Sequence, residues 1–337
     1  MKQNSILGEG TFAIVVGPYS LSFVVKTEFF QDFPKEPERY IIKIHKHEVK
    51  YPSQLFQKQQ LYTQLEKQSQ HHLILFPIAT SIIKGKDIMR HFPFMEKTLD
   101  PSKFYQLELE RYGGMSFEKV MFHKHNPVLT VSKFLKIWRC IPDILEDSFT
   151  ILFHHHLIMT DIKIENIVLS SHYQLRLIDV DLNPNKRTSR IITPYITELP
   201  PQYFSQEWWH PHYTQVKNTL LQKYTKHYHE YKKEKKIISK ILEFIHQYQD
   251  PSVLIKTQKL TQQENKFQRL FFVMYPLFMM VLGLFVYHCV KIQTVEEKEH
   301  VKKIVSFCLN MLQKRGHFSS TFSYKTFQDF LWKMKTL

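Results

Sequence analysis

Four short segments of this chain carry residue types that handle phosphate, metal and a hydroxyl proton. In the first, Leu7-Gly8-Glu9-Gly10-Thr11-Phe12-Ala13-Ile14-Val15, the glycines let backbone amides approach an anion, and Phe12 at the tip of a tight hairpin can close over it. Taken alone, this is equally an ordinary hairpin. The second, Tyr40-Ile41-Ile42-Lys43-Ile44, sets one ammonium in a run of strand-forming residues, from which Lys43 would point under that hairpin toward phosphate oxygens. Alone, it reads as an edge-strand lysine facing water. The third, Thr160-Asp161-Ile162-Lys163-Ile164-Glu165-Asn166, is specific: an Asp, a Lys two residues on and an Asn five residues on can converge on a hydroxyl, a transferring phosphoryl group and a metal. The fourth is Asp179, thirteen residues beyond Asn166 at the end of the apolar run Leu175–Ile178, where its carboxylate can share a magnesium ion with that Asn.

The elements that must position these groups follow from periodicity. Residues from Ser5 to Val16 read as strand, turn, strand, and Tyr40–Ile44 as a further strand. Leu55, Leu61 and Leu65 recur at helical intervals within Gln54–Lys67, and Leu73–Ile78 reads as another strand. After Gly113 and Gly114 the apolar residues Phe134, Ile137, Trp138, Ile141, Ile144 and Leu145 lie on one helical stripe, so the remainder is expected to be mostly helical. The chain has 337 residues, 43% of them hydrophobic and 14% aromatic, enough for a filled core and too much for global disorder. With 46 Lys and Arg against 31 Asp and Glu, the net charge of +15 favours phosphate-rich or acidic partners. Cys140, Cys289 and Cys308 are too few and too scattered for a disulfide framework or a four-ligand zinc site, which points to a reducing compartment. Met1–Ser5 does not begin a secretory signal, and Lys2 excludes N-terminal myristoylation. Only two alanines, Ala13 and Ala79, stand among many Lys, Ile, Phe and Tyr, a bias of AT-rich genomes such as those of large DNA viruses or intracellular parasites.

In order, spacing and residue type the four segments resemble the eukaryotic-type protein kinase superfamily, with Lys163 favouring its Ser/Thr branch. The resemblance implies an α+β, bilobal fold: a small strand-rich lobe with one main helix over residues 1–112, and a larger, mainly helical lobe over 113–337 carrying a basic polar insert at about 209–268. It assigns ATP contact to Leu7, Gly8, Glu9, Gly10, Thr11, Phe12, Ala13 and Val15 of the hairpin and to Ile41 and Lys43. Asp161 becomes the base that accepts the substrate hydroxyl proton, Lys163 neutralises the γ-phosphate, and Asn166 and Asp179 hold Mg²⁺. Leu107–Gly114 resembles the hinge that meets adenine through backbone groups, and Thr193–Gln202 the segment that meets the peptide substrate. The implied activity is transfer of the ATP γ-phosphoryl group to Ser or Thr of protein substrates, in cytoplasm or nucleus. The alternatives are a nucleotide-binding pseudokinase scaffold and a membrane-tethered basic interaction protein.

The sequence departs from the family pattern at several positions. Ala13 stands where a third glycine is usual, which stiffens the loop. Met159-Thr160 replaces His-Arg before Asp161, leaving no arginine to pair with a phosphorylated activation segment. Val180-Asp181 replaces Phe-Gly after the metal-binding Asp, removing a glycine hinge. Gln202 stands in place of a glutamate that ion-pairs within the large lobe. In the helix over Gln54–Lys67 the sole carboxylate is Glu66, near its end, whereas the partner of the strand lysine should lie nearer the middle, so Gln57, Gln59 or Gln60 is expected to stand in.

Three further features have competing readings. Leu270–Val290 is uncharged for twenty-one residues, long enough to span a bilayer, yet Pro276 and His288 weaken that reading and Val281-Leu282-Gly283-Leu284 matches the buried central helix of the large lobe, with Phe278 where an aspartate is usual. We read it as buried. The lysines and tyrosines of Lys217–Lys240 suit nucleic acid or an anionic surface, with a solvated helix face as the plainer reading. His154-His155-His156 has no partner ligand at helical spacing and is not read as a metal site.

Overall fold

The computed structural model describes residues 6–10, 12–30, 33, 39–117, 129–155, 157–160, 162, 166–184, 270, 273–274, 277–278, 280–282, 284–285, 290–313 and 324–337. The chain divides into two compact units, Met1–Gly113 and Gly114–Leu337.

In the first unit, β1 (Ile6–Glu9), β2 (Ala13–Ser20), β3 (Arg39–Glu48), β4 (Ala79–Lys84) and β5 (Phe104–Arg111) form one antiparallel sheet in the order β1-β2-β3-β5-β4. Strand alternation sorts its two faces. Tyr40, Ile42 and Ile44 of β3, with Ile14 and Val16 of β2 and Leu107 and Leu109 of β5, are buried in a core shared with Val24 of α1 (Leu21–Thr27), Ile88 of α3 (Gly85–His91) and the Phe92 and Met95 that follow it. Each such fully buried side chain contributes about 1.5–3 kcal/mol relative to exposure, so this face fixes the register of the whole sheet. The opposite face carries the intervening residues, Lys43 among them. The main helix, α2 (Pro52–Gln68), starts on a proline at its first turn and buries only a narrow stripe that includes Tyr62 and Leu65.

One expected strand is displaced. Leu73, Ile74, Leu75 and Phe76 are buried, but the strand begins only at Ala79. Those apolar residues fill the space beside α2, where Phe76 stacks on Tyr62 at 5.6 Å, and the edge of the sheet is built from the less apolar Ala79–Lys84.

The second unit is built on α4 (Val131–His155), whose expected stripe of Phe134, Ile137, Trp138, Ile141, Ile144 and Leu145 is wholly buried. Helices α5 (Val295–Gln313) and α6 (Tyr324–Lys335) complete it, and the Trp138 indole donates to the Met334 carbonyl at 3.1 Å, tying α6 to α4. Described residues of 270–285 are helical and buried, and Phe278 lies 6.1 Å from both Trp138 and Phe307. Among the described residues no helix is long and apolar enough to cross a membrane. Two-residue strands β6 (Met115–Ser116), β7 (Leu129–Thr130) and β12 (Val290–Lys291) accompany four short ones: β8 (Leu157–Thr160), β9 (Ile167–Leu169), β10 (Leu175–Leu177) and β11 (Asp181–Pro184). β9 pairs with β10 while β8 pairs with β11, so one hairpin is nested inside the other, and β6 adds to β9. Gly114 is required where β6 starts: at φ +130° an added Cβ would lie 2.1 Å from the Leu169 carbonyl oxygen.

Sheet order, the single main helix of the first unit and the nested hairpins of the mainly helical second unit together match a protein-kinase-like fold. The basic tract at 209–268 and the Thr193–Gln202 segment lie outside the described residues.

Candidate functional site

Register across the first unit's sheet places Gly8 opposite Val15, Val15 opposite Lys43, Lys43 opposite Glu108 and Glu108 opposite Thr80. Side chains directly opposite one another in a sheet share a face, so Val15, Lys43, Glu108 and Thr80 line up in one transverse row, with Ala13 and Ile41 on the same face two residues away. The Lys43 Nζ lies 3.8 Å from Oε2 of Glu108, an ion pair between a largely covered ammonium and a carboxylate that is 3% exposed. Both carboxylate oxygens are engaged: the His45 Nε2 sits 3.0 Å from Oε2, and Gln106 Nε2 donates to Oε1 at 2.7 Å. Burial alone would push the Glu108 carboxyl up; the His45 hydrogen bond and the charges of Lys43, His45 and Lys58 more than offset it and hold the carboxyl at about 2. The result is one fixed anion with two lysines and a histidine around it, a local excess of donors and positive charge suited to a polyanionic ligand.

The glycine hairpin is tied to the neighbouring strand at its tip. Gly10 N–H donates to the Ala13 carbonyl at 2.9 Å, Lys46 N–H to the Phe12 carbonyl at 2.8 Å, and Lys46 Nζ to Glu9 Oε1 at 2.7 Å. Phe12 is 66% exposed at the turn, with its ring 5.7 Å from that of His47. A Cβ added at Gly8 would meet nothing within 4 Å, and one at Gly10 only the Ala13 carbonyl oxygen at 3.8 Å. The protein's own packing therefore does not demand these glycines; a ligand against the backbone would. Gly10→Ala is expected to leave the melting temperature within about 2 °C, as for a surface substitution without a special role, while weakening several-fold any nucleotide that the hairpin backbone holds. Thermal melting and nucleotide titration of the same sample check both halves. Thr11 lies outside the described residues.

In the second unit the nested hairpins bring Asn166 and Asp179 to the same end of the β9–β10 pair. Leu177 is opposite Ile167, and one step further the Ile178 N–H donates to the Asn166 carbonyl at 2.9 Å, so Asp179 follows directly on the residue bonded to Asn166. Asn166 is buried, whereas Asp179 is exposed. Asp179 adopts φ 51°, in the left-handed region that Asp enters more readily than most non-glycine residues. An amide oxygen and a carboxylate are hard-oxygen donors of the kind Mg²⁺ takes, one or two from protein with the rest from phosphates and water. Asp161 and Lys163 lie outside the described residues; of their described neighbours in sequence, Thr160 is paired with Asp181 of β11 and Asn166 is bonded to Ile178. Val180, in place of the usual aromatic, is buried.

The expected glutamine substitute for a helix carboxylate is not what the structure has. Gln59 turns to the edge strand, accepting from the Thr80 hydroxyl at 2.7 Å and donating to the Pro77 carbonyl at 3.3 Å; Gln57 and Gln60 are exposed. Glu66 pairs with Arg111 at 2.5 Å and His72 at 3.7 Å. The carboxylate beside Lys43 comes from β5, and Glu108 is the site residue that sequence reasoning missed. Its signal was the alternation Leu107-Glu108-Leu109-Glu110, which also reads as a strand with its acids facing solvent.

No protein-family model matches the chain, and no curated protein matches it.

Proposed function

We propose that this chain is a protein kinase that transfers the γ-phosphoryl group of ATP to Ser or Thr hydroxyls of protein substrates with Mg²⁺. The observation that carries the proposal is Lys43: on the strand next to the glycine hairpin, in a sheet of the order β1-β2-β3-β5-β4, its ammonium is paired with a deeply buried carboxylate. In this reading the hairpin amides and Lys43 hold the phosphates, with Leu7, Val15 and Ile41 on the adenine side. Asp161 takes the proton of the acceptor hydroxyl as its oxygen bonds to the γ-phosphorus, and ADP leaves. Lys163 neutralises charge on the transferring group. Asn166 and Asp179 would hold the metal, which when bound supplies charge neutralisation at the phosphate oxygens. The protein's contribution is positioning and fixed charge. Because Met159-Thr160 offers no arginine for a phosphorylated activation segment, activity in this reading does not need such phosphorylation, and phosphatase treatment should leave turnover unchanged.

A second reading, a nucleotide-binding scaffold with little or no transfer, is favoured by one observation: α2 supplies no carboxylate to Lys43. Incubating purified protein with labelled ATP, Mg²⁺ and a generic protein substrate separates the two. The kinase reading expects label on Ser and Thr from the wild type and none from Lys43→Met. ATP binding without label would select the scaffold, and neither binding nor label would remove both.

A further inference from the structure

We infer that Lys43 is positioned from within the sheet by Glu108 and not by helix α2, so the phosphate-holding lysine is set without any movement of that helix. The inference rests on the ATP-binding reading above and concerns the regulation of the same site.

In kinases whose strand lysine pairs with a helix glutamate, the helix must be in place for the pair to form, and its position is a point of control. Here the acid and the base are direct neighbours on adjacent strands, β3 and β5. Their separation is fixed by main-chain hydrogen bonding, because opposed residues of an antiparallel pair have Cβ atoms about 4.5–5.5 Å apart. The carboxylate itself has little freedom, since His45 and Gln106 each hold one of its oxygens. Helix α2 contributes nothing of the opposite charge to Lys43. Its Gln59 is committed to Thr80 and Pro77, and its Glu66 to Arg111. The charged side chain α2 does bring near the row is a cation, Lys58, 5.3 Å from the Tyr62 ring centroid, whose field attracts Glu108. Glu108 is thus a positioning residue: it acts on phosphate through Lys43.

The test titrates full-length wild type, Glu108→Gln, Glu108→Asp, Lys43→Met, Gln59→Ala and Glu66→Gln with ATP, ADP and adenosine. Glu108→Gln is expected to lose at least tenfold in affinity for ATP and ADP while keeping adenosine within twofold, because adenosine has no phosphate for Lys43 to hold. Glu108→Asp, which keeps the charge, should restore part of the loss and covers the case in which the Gln variant does not fold. Gln59→Ala and Glu66→Gln should bind all three ligands as the wild type does. ATP binding unchanged in both Glu108 variants, with Lys43→Met defective, would overturn the inference and leave the kinase reading standing. Equal losses for adenosine and ATP would reduce Glu108 to a folding role and overturn it as well, as would a tenfold loss in either α2 variant. Wild type that binds no ATP would remove the reading and the inference together.

Discussion

If the chain is the kinase proposed, Asp161→Asn is expected to lower phosphotransfer by about 10²–10⁴ while changing ATP affinity less than twofold, because a general base contributes roughly that factor and the amide keeps its shape without its basicity. The separation of the two effects follows from where the groups lie in the chain. The hairpin and Lys43 belong to the unit Met1–Gly113, whose sheet is held by its own core, whereas Asp161 belongs to the other unit. The described residues on either side of it are held without it, Thr160 by its pairing with Asp181 and Asn166 by the Ile178 N–H on its carbonyl. Single-turnover transfer and equilibrium nucleotide binding, measured on one preparation, read the two quantities. Transfer within threefold of wild type would remove Asp161 from the role of base. Loss of ATP binding alongside transfer would mean that the residue supports the site structurally.

What the sequence made legible was local. A glycine-punctuated hairpin, one lysine in an Ile-rich strand and the spacing of Asp161, Lys163, Asn166 and Asp179 are each readable within a few residues, and the apolar stripe of α4 needs only helical periodicity. The partner of Lys43 was not local. It depends on β5 pairing with β3 in a register that sets Lys43 opposite Glu108, sixty-five residues away in the chain. Alternating Leu and Glu over residues 107–110 looks like a strand with its acids in water, yet Glu108 and Glu110 are both buried. The same non-locality misplaced the edge strand: the apolar residues 73–76 had composition for a strand, but burial beside α2 satisfied them without one.

The buried acid should also show in the pH dependence of stability. In the unfolded chain Glu108 has the ordinary value of 4.5, and in the folded chain about 2, so its ionised form is favoured by folding. A carboxyl with a depressed folded value stabilises above the unfolded value and loses that contribution as pH falls through the folded one. The window here runs from about pH 5 down to about pH 2. A difference of this size corresponds to about 3 kcal/mol, at the lower edge of what breaking a buried ion pair costs. Glu108→Gln, which cannot ionise, should therefore be less stable than wild type by about 3 kcal/mol at pH 7, where Lys43 and Lys58 lose their shared counter-charge. The gap between the two proteins should narrow steadily below pH 5, because the wild type alone gives up the term on protonation. Taking the difference between variants cancels the titration of carboxylates far from Glu108, which plain acid unfolding would not. Urea unfolding of both proteins at several pH values between 3 and 7 measures it. A stability gap that stays constant across that range would show that Glu108 contributes by shape and hydrogen bonding, with its charge already compensated in the unfolded chain.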